Sequence, residues 1–333
     1  MRRALVSTTL TLGTAVYSVC VGCGDSSPGA GSDASPAMDS MAASEAGSPI
    51  DAGGVDGREV GAGDTGTLDG SAKDASPGDA SDGGTACPGP PPGAVALGYA
   101  TQAFCLEPTI ADISYTSAGA TNLYSGQWYD TTPPDSTHYS MEKGTLAIAM
   151  GGEVTTQRQD SLQGKLPYLV AGNGYYVEFA VTLSDNDSDH WPAVWLMPQE
   201  HNDKQSDHLS TDPAGYERWM EVDCDEGGFY PGSLNSLINW QGIYPNYTNT
   251  TWNDDGKLPA LDRTTEHVFG VSYDPVGQMA AYWLDGANVY SHSTSTIPAI
   301  VDTYHYYLIA GAQTHGANKP YEMLVRYMSA WIK

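Results

Sequence analysis

Apolar and aromatic residues along this chain gather in short runs of strand composition, separated by polar turn residues. Residues 175–183 (YYVEFAVTL), 190–197 (HWPAVWLM), 218–224 (RWMEVDC) and 236–240 (SLINW) are four such runs. Four more are 267–273 (HVFGVSY), 279–286 (MAAYWLDG), 305–311 (HYYLIAG) and 322–332 (EMLVRYMSAWI). Asp-Gly, Asn-Gly and Asp-Pro pairs and Gly-rich stretches lie between them, no helical periodicity is sustained, and no internal repeat is visible. The spacing predicts an all-β chain, an antiparallel β-sandwich or jelly roll.

One run departs from ordinary patterning. RWMEVDCDEGG, residues 218–228, places Glu221, Asp223, Asp225 and Glu226 within six positions. Strand alternation puts Trp219, Glu221 and Asp223 on one face and Arg218, Met220, Val222 and Cys224 on the other, the last three apolar enough for a core. Strict alternation would next bring Asp225 to the acidic face. One extra residue in a β-bulge would bring Glu226 there instead. Glu221 and Glu226 are then about 13–16 Å apart between Cα atoms. Their flexible side chains can narrow this toward the about 5–5.5 Å used by retaining glycosidases. Asp223 between them would hold a proton or hydrogen bond and push their pKa values apart. Solvated charges on an edge strand, or a calcium-binding carboxylate cluster, would give the same pattern.

Composition divides the chain. Arg2 and Arg3 precede a short, mostly uncharged run that ends at Gly22 and Cys23, so residues 1–22 read as an export signal, too short and polar to span a membrane. VCVGCGDSS resembles a bacterial lipobox. Cys23, preceded by glycine, is the expected lipidation site, with simple signal cleavage as the alternative. Residues 23–88 are Gly, Ala, Ser, Asp and Pro with almost no large apolar residue, and carry twelve acids against Arg58 and Lys73. Such a segment cannot offset its ordering entropy and is expected to be a disordered, extended tether. Residues 89–333 suffice for one large β domain. They hold 28 of the 40 acidic and 10 of the 14 basic residues, a net charge of −18. That charge argues against nucleic acid, anionic membrane surfaces and sulfated polymers as partners. Membrane contact is expected only through the lipid anchor of an extracellular or cell-surface lipoprotein, and the domain is expected to be a monomer. Cys87 and Cys105 flank a Pro-rich stretch and can form a disulfide in an oxidising compartment. No CxxC pair with companion histidines points to zinc.

EVDCDE matches the E-x-D-x-x-E signature of glycoside hydrolase family 16 in its β-bulge form. YYVEFAVTLSDNDSDHWPAVWLMP, HVFGVSYDPVGQMAAYWLDGANVYS and YEMLVRYMSAWIK resemble other segments of that family, in the family's order. The resemblance runs from about Tyr124 to the end. It implies a concanavalin-A-like jelly roll with a concave substrate cleft, and it implies the bulge, with Asp225 pointing away. Carried over residue by residue, Glu221 is the nucleophile, Glu226 the acid/base and Asp223 the assisting aspartate. Trp219 falls where relatives often stack a sugar. Trp191 is placed in the cleft and Trp195 in the core. Where many relatives have a histidine, SLINW offers Asn239 beside Trp240 as candidate substrate contacts. Gln313 and His315 of IAGAQTHG also stand in unfamiliar places. The cluster from His201 to His208 looks like a metal site but is expected to be a solvated loop over the cleft.

The resemblance implies an exported retaining endo-glycanase acting on β-linked polysaccharide, with β-1,3- or mixed β-1,3/1,4-glucan as the first expectation. A non-catalytic carbohydrate-binding lipoprotein and a transglycosylase are the alternatives. No redox or organic cofactor and no catalytic metal is implied; a structural calcium ion is left open.

Overall fold

The computed structural model describes residues 87–116, 120–127, 130, 132–157, 163–202, 207–227, 234–253, 260–292, 297–314 and 319–333. The expected signal segment, Cys23 and the tether up to Ala86 lie outside the described residues, as does His315.

Two sheets stack. The first runs, in spatial order, Ala287–His292, Met279–Leu284, His267–Asp274, Tyr175–Leu183, Glu322–Ile332, Thr145–Ala149 and Tyr139–Glu142, with Thr101–Leu106 also paired to Glu322–Ile332. The second runs Asn246–Asn253, Leu234–Ile243, Tyr216–Glu226, His190–Pro198, His305–Thr314, Glu153–Thr155, Leu123–Ser125 and Ile113–Ser114, with Leu169–Val170 also on His305–Thr314. Pairing is antiparallel throughout except between Ile113–Ser114 and Leu123–Ser125. This is the expected all-β sandwich.

Alternation makes the core. Val177, Phe179 and Val181 of the first sheet meet Val194, Leu196, Met220, Val222, Leu308 and Ala310 of the second in one buried cluster. Each large aliphatic or aromatic side chain so buried contributes roughly 1.5–3 kcal/mol. The opposite positions of the second sheet form a separate, outer aromatic cluster. There Met197, Trp219, Tyr307 and Ile309 are buried, and Trp195, Trp240 and Tyr247 pack on them. At the start of the described chain, Ala94 and Tyr99 pack on Tyr176 and Trp331 on the outer side of the first sheet. A disulfide joins Cys87 to Cys105, Cα atoms 5.9 Å apart. Closing a loop of that length restricts the unfolded chain by about 3 kcal/mol.

Candidate active site

The acidic strand extends from Tyr216 to Glu226 and contains the bulge. Asp223 pairs with Trp195 on one side and Ser236 on the other, and the register then slips, so that Asp225 opposes Val194 and Glu226 opposes Ala193. Trp191, Ala193 and Trp195 alternate with the core residues Val194 and Leu196, so their side of the sheet is the outer one. The extra residue therefore brings Glu226 to the outer face with Glu221 and Asp223. Cys224 stays in the core. Asp225 turns away, 1% exposed, and both its oxygens accept from Arg263, Nη1 at 2.6 Å and Nη2 at 2.8 Å.

Each of the two glutamates is held by a tryptophan. Trp240 Nε1 donates to Glu221 Oε2 at 2.8 Å, and Trp191 Nε1 donates to Glu226 Oε1 at 2.9 Å. Trp240 lies on the neighbouring strand, paired with Trp219, and Trp191 lies on the strand opposite. Burial pushes the Glu221 carboxyl up to about 7; the charge of Glu226 adds to this and the Trp240 N–H opposes it. Burial also pushes Glu226 up to about 7, with the Trp191 N–H opposing and the charge of Asp225 adding. Asp223 is buried between them. Burial first, then the charges of Glu221 and Glu226, hold its carboxyl well above the usual range, and Oδ2 has no hydrogen-bond partner. Three acids in one patch cannot all ionise, so they share protons and titrate as a unit.

Two of the expected sugar contacts need correction. Trp219 is 4% exposed. One face stacks on His201, ring centroids 3.7 Å apart, and Trp240 stacks nearly parallel at 5.6 Å. Tyr247 meets it edge-on at 4.9 Å. With its faces covered, Trp219 is a packing element beneath the acidic face and has no surface for a pyranose. Asn239 pairs with Met220, a core residue, so it shares the inner side of the sheet and cannot reach Glu221. A contact inferred from adjacency to Trp240 fails because adjacent strand residues point oppositely. Trp195, expected in the core, is half-buried on the outer face, directly across from Asp223. Of the loop expected to be solvated, His201 and Asp207 are buried, at 2% and 0% exposure, while His208 is exposed as expected.

Glu153 is a functional candidate that the sequence reading missed. It lies opposite Gly311, which lies opposite Ala193, which lies opposite Glu226. Four strands therefore carry one row with a carboxyl at each end and only small residues between. A Cβ at position 311 would come within 2.8 Å of Glu153 Oε2, so only glycine lets this carboxyl lie over the strand. Gln313 Nε2 donates to Glu153 at 2.5 Å, which gives the unfamiliar Gln313 a partner. Burial raises the Glu153 carboxyl to about 8, and the nearby charge of Asp130 adds to it. A lone acid after two glycines has no pattern to mark it; only the sheet order joins it to Glu226.

These shifts fix a pH dependence. A carboxyl with folded pKa about 8 and an ordinary unfolded value near 4.5 binds more protons in the folded state between those pH values. Stability therefore falls as pH rises through that window and levels above it. Glu153→Gln removes the ionisation. The stability difference between variant and wild type should grow from near zero at pH 4.5 to on the order of a few kcal/mol above pH 8. Denaturant unfolding of both proteins across that range measures it, and a difference independent of pH would refute it.

A scan against protein-family models finds no match to this sequence, and neither does a search of curated proteins. Among solved structures, the chain is similar to an endo-1,3-β-glucanase from Streptomyces sioyaensis at 15% identity and TM-score 0.43, over 69% of this chain and 95% of that one. An endo-β-1,3-glucanase from Pyrococcus furiosus matches at 17% identity and TM-score 0.39, over 60% and 78%. A laminarinase from Flavobacterium sp. UMI-01 matches at 16% and 0.37, over 59% and 83%.

Proposed function

We propose that this protein is an exported retaining endo-glycanase that hydrolyses β-linked polysaccharide on the outer face of its second sheet. The observation that carries this is the bulge: it brings Glu221, Asp223 and Glu226 to one face while Asp225 is withdrawn into an ion pair. Glu226, with its raised pKa, is the general acid that protonates the departing glycosidic oxygen, and Glu221 attacks the anomeric carbon. Burial and the charges of Glu221 and Glu226 raise the Asp223 carboxyl, which favours its protonated form beside Glu221 and so eases the charge repulsion on the nucleophile. Water then cleaves the glycosyl-enzyme with Glu226 as base. Trp240 and Trp191 hold the two carboxylates in place through their N–H groups, and Trp191, half-buried beside Glu226, also offers ring surface to a sugar.

A neutral β-1,3- or mixed-linkage β-glucan is the proposed substrate, because the resemblance points to β-glucanases and an acidic domain repels sulfated galactans. Release of reducing ends from a panel of β-1,3-glucan, mixed-linkage glucan, agarose and carrageenan tests this. The neutral glucans should be cleaved, and both agarose, a neutral galactan, and the sulfated carrageenan spared. No release from any of them would overturn the reading.

A further inference from the structure

His201, Asp207 and Glu217 come together at the far end of the acidic strand from the bulge. One ligand-type atom from each lies within 4.8 Å of the other two. His201 Nδ1 is 3.1 Å from Asp207 Oδ2, and Glu217 accepts from the Tyr247 hydroxyl. Asp207 is the decisive member. It is 0% exposed, and its Oδ1 has no hydrogen-bond partner. Among the described residues, its side chain lies within ion-pair distance only of two histidines, His201 and, at 3.9 Å, His208. Arg218, next along the strand from Glu217, pairs with Asp212 instead. A buried carboxylate with one oxygen that makes no hydrogen bond, close to a second carboxylate, is costly unless a cation balances it.

We propose that these three residues bind a divalent first-row transition cation, Zn²⁺ foremost. The donor set of one imidazole nitrogen and two carboxylate oxygens selects it. Imidazole suits zinc and its neighbours, whereas calcium takes oxygen ligands alone. Three protein ligands leave a position for water, and ligand atoms bonded at about 2.0–2.2 Å would sit closer together than the 4.8 Å limit requires. The outer ring of contacts that metal ligands need is present. The imidazole is pinned by its stack on Trp219, and Glu217 is oriented by Tyr247, which also braces Trp219. The bound ion would tie His201, at the end of the Gln199–Asn202 turn, to the start of the acidic strand. This site does not depend on whether Glu221 and Glu226 cleave glycan.

The test is metal binding by the exported chain after chelator treatment and dialysis. Titration calorimetry with Zn²⁺ should give one site per chain, and Ca²⁺ should give none. His201→Gln, Asp207→Asn and Glu217→Gln should each weaken Zn²⁺ binding at least about tenfold, and Tyr247→Phe by a factor of about 10–100. Co²⁺ loaded into the wild type should show the visible absorption of a site with nitrogen and oxygen ligands, which needs no variant to fold. Wild-type protein that takes up no stoichiometric Zn²⁺ or Co²⁺ would overturn the proposal. So would variants that fold and bind as tightly as wild type, because the ion would then sit elsewhere and His201–Asp207 would be a simple ion pair.

Discussion

Glu226→Gln is expected to lower turnover of a natural β-glucan by about a thousandfold or more, a loss of roughly 4 kcal/mol of transition-state stabilisation. The sugar leaving group needs a proton, and the amide cannot supply one. An aryl glycoside leaves without much help, so the same variant should keep more activity on it. Glu221→Gln should be inactive on both substrates, because no covalent intermediate can form. The amides are close in shape to the acids and can still accept from Trp191 and Trp240, so folding should survive. Steady-state rates on the two substrate types separate these outcomes. A Glu226→Gln enzyme that turns over polysaccharide normally would remove the acid/base assignment. If Asp225→Asn were inactive at the same time while still folded, the proposed roles of neighbouring acids would be reversed.

Breaking the Asp225–Arg263 pair is the second large expected effect, and it falls on stability. Arg263 is 8% and Asp225 1% exposed, and the two guanidinium nitrogens meet the two carboxylate oxygens. Arg263→Ala strands a buried carboxylate next to Glu226 and should destabilise the domain by about 3–5 kcal/mol. In a domain of this size that lowers the unfolding midpoint by on the order of 10 °C. Replacing both partners together, Asp225→Leu with Arg263→Met, should recover much of the loss, since an apolar pair leaves no uncompensated charge. Thermal unfolding of the single and double variants measures the coupling. A double variant no more stable than Arg263→Ala would show that the pair is not what matters there. Asp225 thus has a structural reason to be acidic, and the run of consecutive acids resolves into three that share a face and one that anchors the bend.

The sequence alone determined the sandwich and the shared face of Glu221 and Asp223, because both follow from local strand alternation. Runs such as YYVEFAVTL and HWPAVWLM carry enough apolar residues to read as strands, but the packing decided their core faces: Val194 and Leu196 are buried on the face opposite Trp195, the residue expected in the core. Of the strands it left unmarked, Asn246–Asn253 lies at a sheet edge, while the short Thr145–Ala149 and Glu153–Thr155 lie inside the sheets. Edge strands bury little, and NYTNTTWN has no apolar face to detect. Alternation could not settle the bulge, which depends on the register of two neighbouring strands and on Arg263, 38 residues beyond Asp225. The tryptophans showed the same limit. Their composition marked them as important, but only the packing decided that Trp219 is covered by His201, that Trp240 and Trp191 grip the glutamates, and that Trp195 is turned outward. Glu153 and the His201–Asp207–Glu217 cluster were decided by tertiary structure alone. Their members are joined by strand order and by burial, neither of which leaves a spacing in the chain.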